Sequence, residues 1–178
     1  MIYPLIFCPS IEGGGVEKNL FLVSNYLSKK IEKVYVLTAN TEASINFNKK
    51  IIFISPKTKY WSNKNRFIKS LICLYLFFFL KKRFLIISFQ SNIMAIIIAT
   101  LFRSKVIIRS NTSPKKYINN FLKKKLFTFI FKIADHVIVN SYDFKKKFLE
   151  IFNINSKVIY NILPESSYRK KYINKKKK

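Results

Sequence analysis

The sequence predicts an α/β fold: a doubly wound, mostly parallel, Rossmann-like sheet flanked by helices. Three observations predict it. Short apolar runs of strand character alternate with stretches of helical periodicity, as strands joined by crossover helices require. The first run, Ile2 to Cys8, is almost continuously apolar, the mark of a strand covered on both faces. All three glycines of the chain, Gly13, Gly14 and Gly15, are consecutive and stand between that run and the first helical pattern, where such a sheet carries its phosphate cradle. The 178 residues suffice for one domain with a full core.

Each element follows in order. After the Ile2–Cys8 strand, Val16, Leu20, Val23 and Leu27 recur at spacings of four, three and four and share one face of a helix ending near Lys30. Val34 to Thr38 and Ile51 to Ser55 read as the second and third strands. A polar, lysine-rich loop, Pro56 to Asn65, holds the only tryptophan, Trp61. A helix through Leu80 then leads to a fourth strand, Phe84 to Phe89. A short apolar helix, Ile93 to Leu101, precedes a fifth strand, Val106 to Arg109. Pro114 suits the first turn of one long helix reaching about Ile133. His136 to Val139 is a sixth strand. Ser141 is the expected N-cap of a helix with Asp143 in its first turn and Phe144, Phe148 and Phe152 on its inward face. Lys157 to Tyr160 reads as a last strand. Beyond Pro164 the chain turns polar and basic, with seven Lys or Arg in residues 169–178. The expected organisation is one domain over residues 1–164 and a basic tail over 165–178 that lacks a core-forming pattern and is expected to be mobile.

Composition removes several function classes. Two cysteines, Cys8 and Cys73, make no disulfide framework and no metal spacing. One histidine, two aspartates and six glutamates leave little for a carboxylate dyad or a metal site, so no metal is expected. His136, in an otherwise apolar strand without a partner in sequence, reads as structural. The formal charge of +26 comes from 34 basic residues, only five of them arginines. Lysine excess beside abundant Asn, Ile, Phe and Tyr has three readings: AT-rich codon usage, an anionic membrane surface, and nucleic acid. The scarcity of arginine makes nucleic acid the least favoured. The amino terminus has no basic region, and its apolar stretch is interrupted at Pro9 and Glu12, so a cytoplasmic protein is expected. Leu71 to Leu80, ten apolar residues, is half the roughly twenty that a bilayer span needs. It reads as a buried helix, with an interfacial membrane contact as the alternative.

Three glycines at the first strand–helix turn allow positive φ and close approach of a ligand to the backbone, and the amides that open the Val16 helix favour an anion such as a diphosphate. A turn that merely needs small residues is the plainer reading. The G-x-G-x-x-G fingerprint fails, because Lys18 stands at its third glycine, and no Gly-Lys-Ser/Thr occurs. The loop therefore does not point to an ordinary NAD enzyme or a P-loop ATPase. Ser88 and Asn92 close the fourth strand and Arg109 and Asn111 the fifth, on the ligand side of such a sheet. Asn92 alternatively caps the following helix. Glu17 either meets a sugar hydroxyl or complements the helix dipole. Arg109, one of few arginines, suits bidentate binding of phosphate or carboxylate.

The segment Gly13-Gly14-Gly15-Val16-Glu17-Lys18, between strand and helix, resembles the glycine-rich loop of family 4 glycosyltransferases of the GT-B fold. Two further stretches, Ile87-Ser88-Phe89-Gln90-Ser91-Asn92 and Val106 to Pro114, resemble paired strand ends in members that build surface polysaccharides such as lipopolysaccharide or capsule. Ala134 to Ser141 and Lys157 to Pro164 resemble the close of that family's amino-terminal domain, so the likeness covers about residues 1–164. The resemblance implies one half of a GT-B fold, which helps move a sugar from a nucleotide-sugar to a lipid-linked or polysaccharide acceptor at the inner membrane face. It implies no cofactor; the nucleotide-sugar is a substrate. Gly13, Gly14, Gly15, Glu17, Ser88, Asn92, Arg109 and Asn111 are the candidate donor-phosphate and substrate contacts, and no catalytic residue is assigned. The family's carboxyl-terminal half carries a Glu-x7-Glu motif, and no two glutamates here have that spacing. A truncated chain needing a separate donor-binding domain is therefore expected. The rival expectation is a non-enzymatic basic module on anionic membrane or nucleic acid.

Overall fold

The computed structural model describes residues 2–80, 83–118 and 120–162. Strand β1 (Tyr3–Phe7) is an interior strand of the sheet, with Leu5, Ile6 and Phe7 fully buried. The helix α1 (Gly15–Lys30) follows the glycines and returns the chain to β2 (Val34–Leu37), beside which β3 (Ile51–Ile54) closes one edge. Helix α2 (Arg66–Phe78) starts at Asn65, whose side chain accepts from the Ile68 amide at 3.0 Å and so satisfies one orphan donor of the first turn. It crosses to β4 (Phe84–Ser88). Thereafter α3 (Asn92–Leu101), β5 (Lys105–Ser110), α4 (Phe121–Ile133), β6 (His136–Val139), α5 (Tyr142–Phe152) and β7 (Lys157–Val158) repeat the βα unit.

The strand order is β3-β2-β1-β4-β5-β6-β7 and every pairing is parallel. Parallel neighbours need crossovers, and the helices supply them on both faces of the sheet. Alternate strand residues feed two cores. Leu5, Phe7, Ile86, Val106, Ile108 and Val139 meet α2, α3, α4 and α5, through Phe77, Ile96, Phe131 and Phe148 among others. Ile6, Cys8, Val34 and Val36 meet α1 through Leu20. The chain moves outward from β1 in one direction through β2 and β3, then returns to lay β4 on its other side. That reversal opens a crevice at the carboxyl ends of β1 and β4, where open α/β sheets hold their ligands.

The fold agrees with the doubly wound sheet expected from the sequence, and four expectations are corrected. The long helix from Pro114 is two pieces: a 3-10 turn at Pro114–Tyr117, then α4 from Phe121. Asn120 accounts for the break, since its side chain accepts from the Lys123 amide at 2.8 Å and starts a new helix. Leu71 to Leu80 is not a buried helix throughout. Cys73 and Phe77 are buried, whereas Leu71, Tyr75, Phe78 and Phe79 are exposed. The loop over Pro56–Asn65 contains a 3-10 turn, Lys59–Asn63. The last strand is shorter than expected and ends at Val158; just beyond it the Ile159 carbonyl accepts from Arg109 rather than from a strand. The basic tail at 165–178 lies outside the described residues. Ser141 caps α5 as expected, accepting from the Phe144 amide at 3.2 Å. Among the described residues no helix is long and apolar enough to cross a membrane.

Candidate functional site

At the strand ends lies a cavity of about 700 Å³, within the usual range for small-molecule sites. Gly14, Gly15 and Glu17 form one wall; Gln90, Ser91 and Asn92 from the β4–α3 turn form another. Arg109, Asn111 and Thr112 close it beyond β5, and Arg66 and Phe67 reach it from the start of α2. Phe89, Ile93, Met94, Ile97 and Phe131 add an apolar lining.

The glycine loop is the part with free donors. The first helical bond of α1 runs from the Lys18 amide to the Gly14 carbonyl at 3.2 Å, so the four amides of Gly14 to Glu17 precede it and have no helical acceptor. The three glycines differ in what they do. Gly13 has φ +89°, a backbone state that other residues adopt only with strain, and it does not line the cavity. Over Gly14 the Glu17 carboxylate folds back: a Cβ there would stand 2.8 Å from Oε2. Over Gly15 a Cβ would meet nothing within 4 Å. No packing therefore demands glycine at position 15, and the space beside its Cα, on the cavity wall, is open.

Glu17 is almost fully buried and is held by Gln90, whose Nε2 donates to Oε1 at 3.0 Å, while Gln90 Oε1 is buried with no partner. Ser88 is fully buried beneath the crevice. Its hydroxyl is shared between the Gln90 carbonyl and Asn92 Oδ1, both at 2.8 Å. Asn92 is not the cap of α3; Ser91, with φ 52°, holds that position. The Asn92 amide instead donates to the Arg109 carbonyl at 3.2 Å, tying the ends of β4 and β5 together. Asn111 donates to the Phe89 carbonyl at 3.4 Å.

Arg109 touches the cavity but is only 5% exposed. Its Nη2 donates to the Ile159 carbonyl and Asn161 Oδ1, each at 3.0 Å, and to the Tyr160 carbonyl at 3.4 Å. Nε is buried and unpartnered, and burial pushes the guanidinium pKa down. One nitrogen of the expected bidentate fork is thus engaged in holding the chain after β7. That segment is also fixed by Asn19, which accepts from the Ile162 amide at 2.7 Å and donates to the Gly15 carbonyl at 3.0 Å.

A second network steadies the loop from outside. Lys69 on α2, only 3% exposed, donates to Ser10 Oγ at 3.0 Å and to Glu12 Oε1 at 3.4 Å, and Ser10 in turn donates to Glu12. The Ser10 hydroxyl, with Lys69 behind it, holds the Glu12 carboxyl below the usual glutamate range. Gln90, Arg66 and Lys69 carried no assigned role in the sequence. Gln90 lies inside the strand-end segment already singled out; Arg66 and Lys69 come from a distant helix and carry no local signal. His136 is exposed at the amino end of β6, away from the crevice. Burial pushes both cysteine thiols up. Among the described residues no three His, Cys, Asp or Glu side chains converge as a metal site would need.

Solved structures of similar fold are GT-B glycosyltransferases. Anabaena Alr3699/HepE, in complex with UDP and glucose, superposes with a TM-score of 0.64 at 15% identity, over 98% of this chain and 50% of that one. A UGT transferase from Siraitia grosvenorii in complex with UDP gives 0.54 at 10% identity, covering 97% of this chain and 54% of that one. Acinetobacter baumannii MurG gives 0.53 at 14% identity, covering 90% and 45%. The chain spans about half the length of these solved chains. No protein-family model and no curated protein matches it.

Proposed function

We propose that the chain is the acceptor-side half of a glycosyltransferase that moves a sugar from a nucleotide-sugar to a hydroxyl of a glycan or lipid-linked acceptor, in the manner of family 4 and in cell-surface glycan synthesis. The observation that carries this reading is the open space beside the Cα of Gly15, at the head of a 16-residue helix and on the wall of a cavity at the strand ends.

In transfer, the bond from the anomeric carbon to the diphosphate breaks, a bond to the acceptor oxygen forms, and the acceptor hydroxyl releases its proton. Negative charge gathers on the departing diphosphate. Amides fixed at a helix amino terminus stabilise that charge without having to reorient, and removing one such donor elsewhere costs about 2.7–4 kcal/mol of barrier. Gly15 is the place for it, because Glu17 already covers Gly14. Glu17, oriented by Gln90, is suited to accept a hydrogen bond from a sugar hydroxyl, and the unpartnered Gln90 Oε1 offers a second acceptor beside it. Ser88, Asn92 and Asn111 set the shape of the crevice through their internal bonds. The apolar part of the cavity lining takes the non-sugar part of an acceptor. A donor-holding half, as in the second half of the similar solved chains, supplies the remaining contacts to the nucleotide-sugar.

Calorimetric titration of UDP and of uridine into the chain and its Gly15→Leu variant tests this. UDP binds more tightly than uridine to the native chain, and leucine weakens UDP at least about tenfold, equivalent to about 1.4 kcal/mol, without lowering the melting temperature. Equal binding of UDP and uridine, or indifference to leucine, overturns the reading in favour of a lysine-driven basic module.

A further inference from the structure

Helices α2, α3 and α4 form one layer, with α3 packed between the other two, and all three feed the same core. The outer surface of that layer is unusually apolar. On α2 the residues Phe67, Leu71, Tyr75 and Phe78 recur at spacings of four, four and three, so they form one stripe, and each is exposed. Leu71, Tyr75 and Phe78 line a groove shared with Leu101 of α3. On α4, Phe121, Leu122, Leu126, Phe129 and Ile133 occupy one arc and are all exposed; Phe129 is 68% open to solvent. Phe131 is the only fully buried residue of that helix. Isolated exposed apolar side chains need no explanation, but aligned stripes on adjacent helices mark an interaction surface.

Charge identifies the partner. From residue 43 to residue 134 the sequence contains no Asp or Glu, and α2, α3 and α4 all lie within that stretch. Basic residues are interleaved with the rings. Phe121 and Phe129 line a groove of about 410 Å³ with Lys124, Lys125 and Lys132, and the Lys125 ammonium lies 4.7 Å from the Phe121 ring centre. A second copy of the chain would bring like charges together on this face. A surface with apolar depth and negative headgroups satisfies both halves of it: rings enter the acyl boundary and lysines reach the phosphates.

We infer that the α2–α3–α4 face is a docking surface for an anionic lipid bilayer. The face adjoins the cavity, since Phe67 of α2 and Ile97 of α3, both exposed, also line it. A docked chain therefore presents the cavity to molecules anchored in the same bilayer. Docking itself does not depend on what the cavity binds.

Flotation of the whole chain with vesicles tests the inference, comparing phosphatidylcholine alone with phosphatidylcholine mixed with phosphatidylglycerol. The native chain floats with the mixed vesicles and not with the neutral ones. Two paired variants, Tyr75→Gln with Phe78→Gln and Leu126→Gln with Phe129→Gln, each lower partitioning about tenfold or more. Their circular dichroism and melting temperature stay native, because the altered residues are exposed. A third pair, Lys124→Gln with Lys125→Gln, weakens the salt dependence of binding. Equal flotation with neutral vesicles, or unchanged flotation of all three pairs, overturns the inference. So does a native dimer in sedimentation that the apolar pairs convert to monomer, which would assign the face to a second copy.

Discussion

Gly13 and Gly15 are neighbours of opposite kind. Gly13→Ala forces a side chain into positive φ and costs about 1–2 kcal/mol. Gly15→Ala meets no atom, improves helix propensity and stabilises the fold by about 0.4–1 kcal/mol. Urea unfolding of the two variants measures the contrast, and the same sign for both would remove the special status of Gly15. Glu12 supplies a pH-dependent test. Its carboxyl is held below the ordinary value of 4.5, first by Ser10 and then by Lys69. Its stabilising contribution is complete above the unfolded chain's pKa and is lost as pH falls through the depressed one. The melting temperature of Glu12→Gln should therefore fall less steeply below pH 4.5 than that of the native chain. The glycines were legible in the sequence as a possible anion site, because they are the only ones in the chain. Their separate roles were not, since these depend on where the Glu17 side chain lies. Arg109 was legible as an unusual residue, but its Nη2 partners stand some fifty positions away and leave no trace in local spacing.

At the scale of elements, α2 shows how register decides energetics. Phe77 is buried against Phe84 and Phe102, with ring centres 5.6 and 4.9 Å away, while adjacent Phe78 is 68% exposed. Phe77→Ala should cost about 3–5 kcal/mol, as deletion of a buried ring does, and Phe78→Ala within about 0.5 kcal/mol of nothing. Thermal and denaturant melts of the pair measure this, and similar losses in both would place the helix in another register. Strand positions were legible because β-type apolar runs are short and sharply bounded. The helix from Pro114 was read as one because its apolar periodicity continues past Asn120; the cap formed by that residue's side chain overrides the pattern. Leu71 to Leu80 is apolar on every side, so hydrophobicity alone could not say which face meets the core. The tertiary contacts of Cys73 and Phe77 decide it.

Over the whole molecule, the seven-stranded parallel sheet brings the first βα loop, the β4–α3 turn and the end of β5 to one crevice, although these segments lie up to about a hundred residues apart. That convergence followed from the alternation of elements and was legible before any coordinates. The network that stiffens it was not, because Lys69 meets Ser10, and Asn19 meets Ile162, across distances in sequence that leave no local pattern. The central claim is that an anionic diphosphate rests on the amides at the head of α1. Because the chain contains three glycines and all belong to that loop, selective ¹⁵N-glycine labelling yields three amide signals, every one a reporter on the site. On titration with UDP or inorganic diphosphate, the Gly15 signal should move most, Gly14 less and Gly13 least. Three unmoved signals at saturating UDP, with binding detected elsewhere or not at all, would contradict the claim.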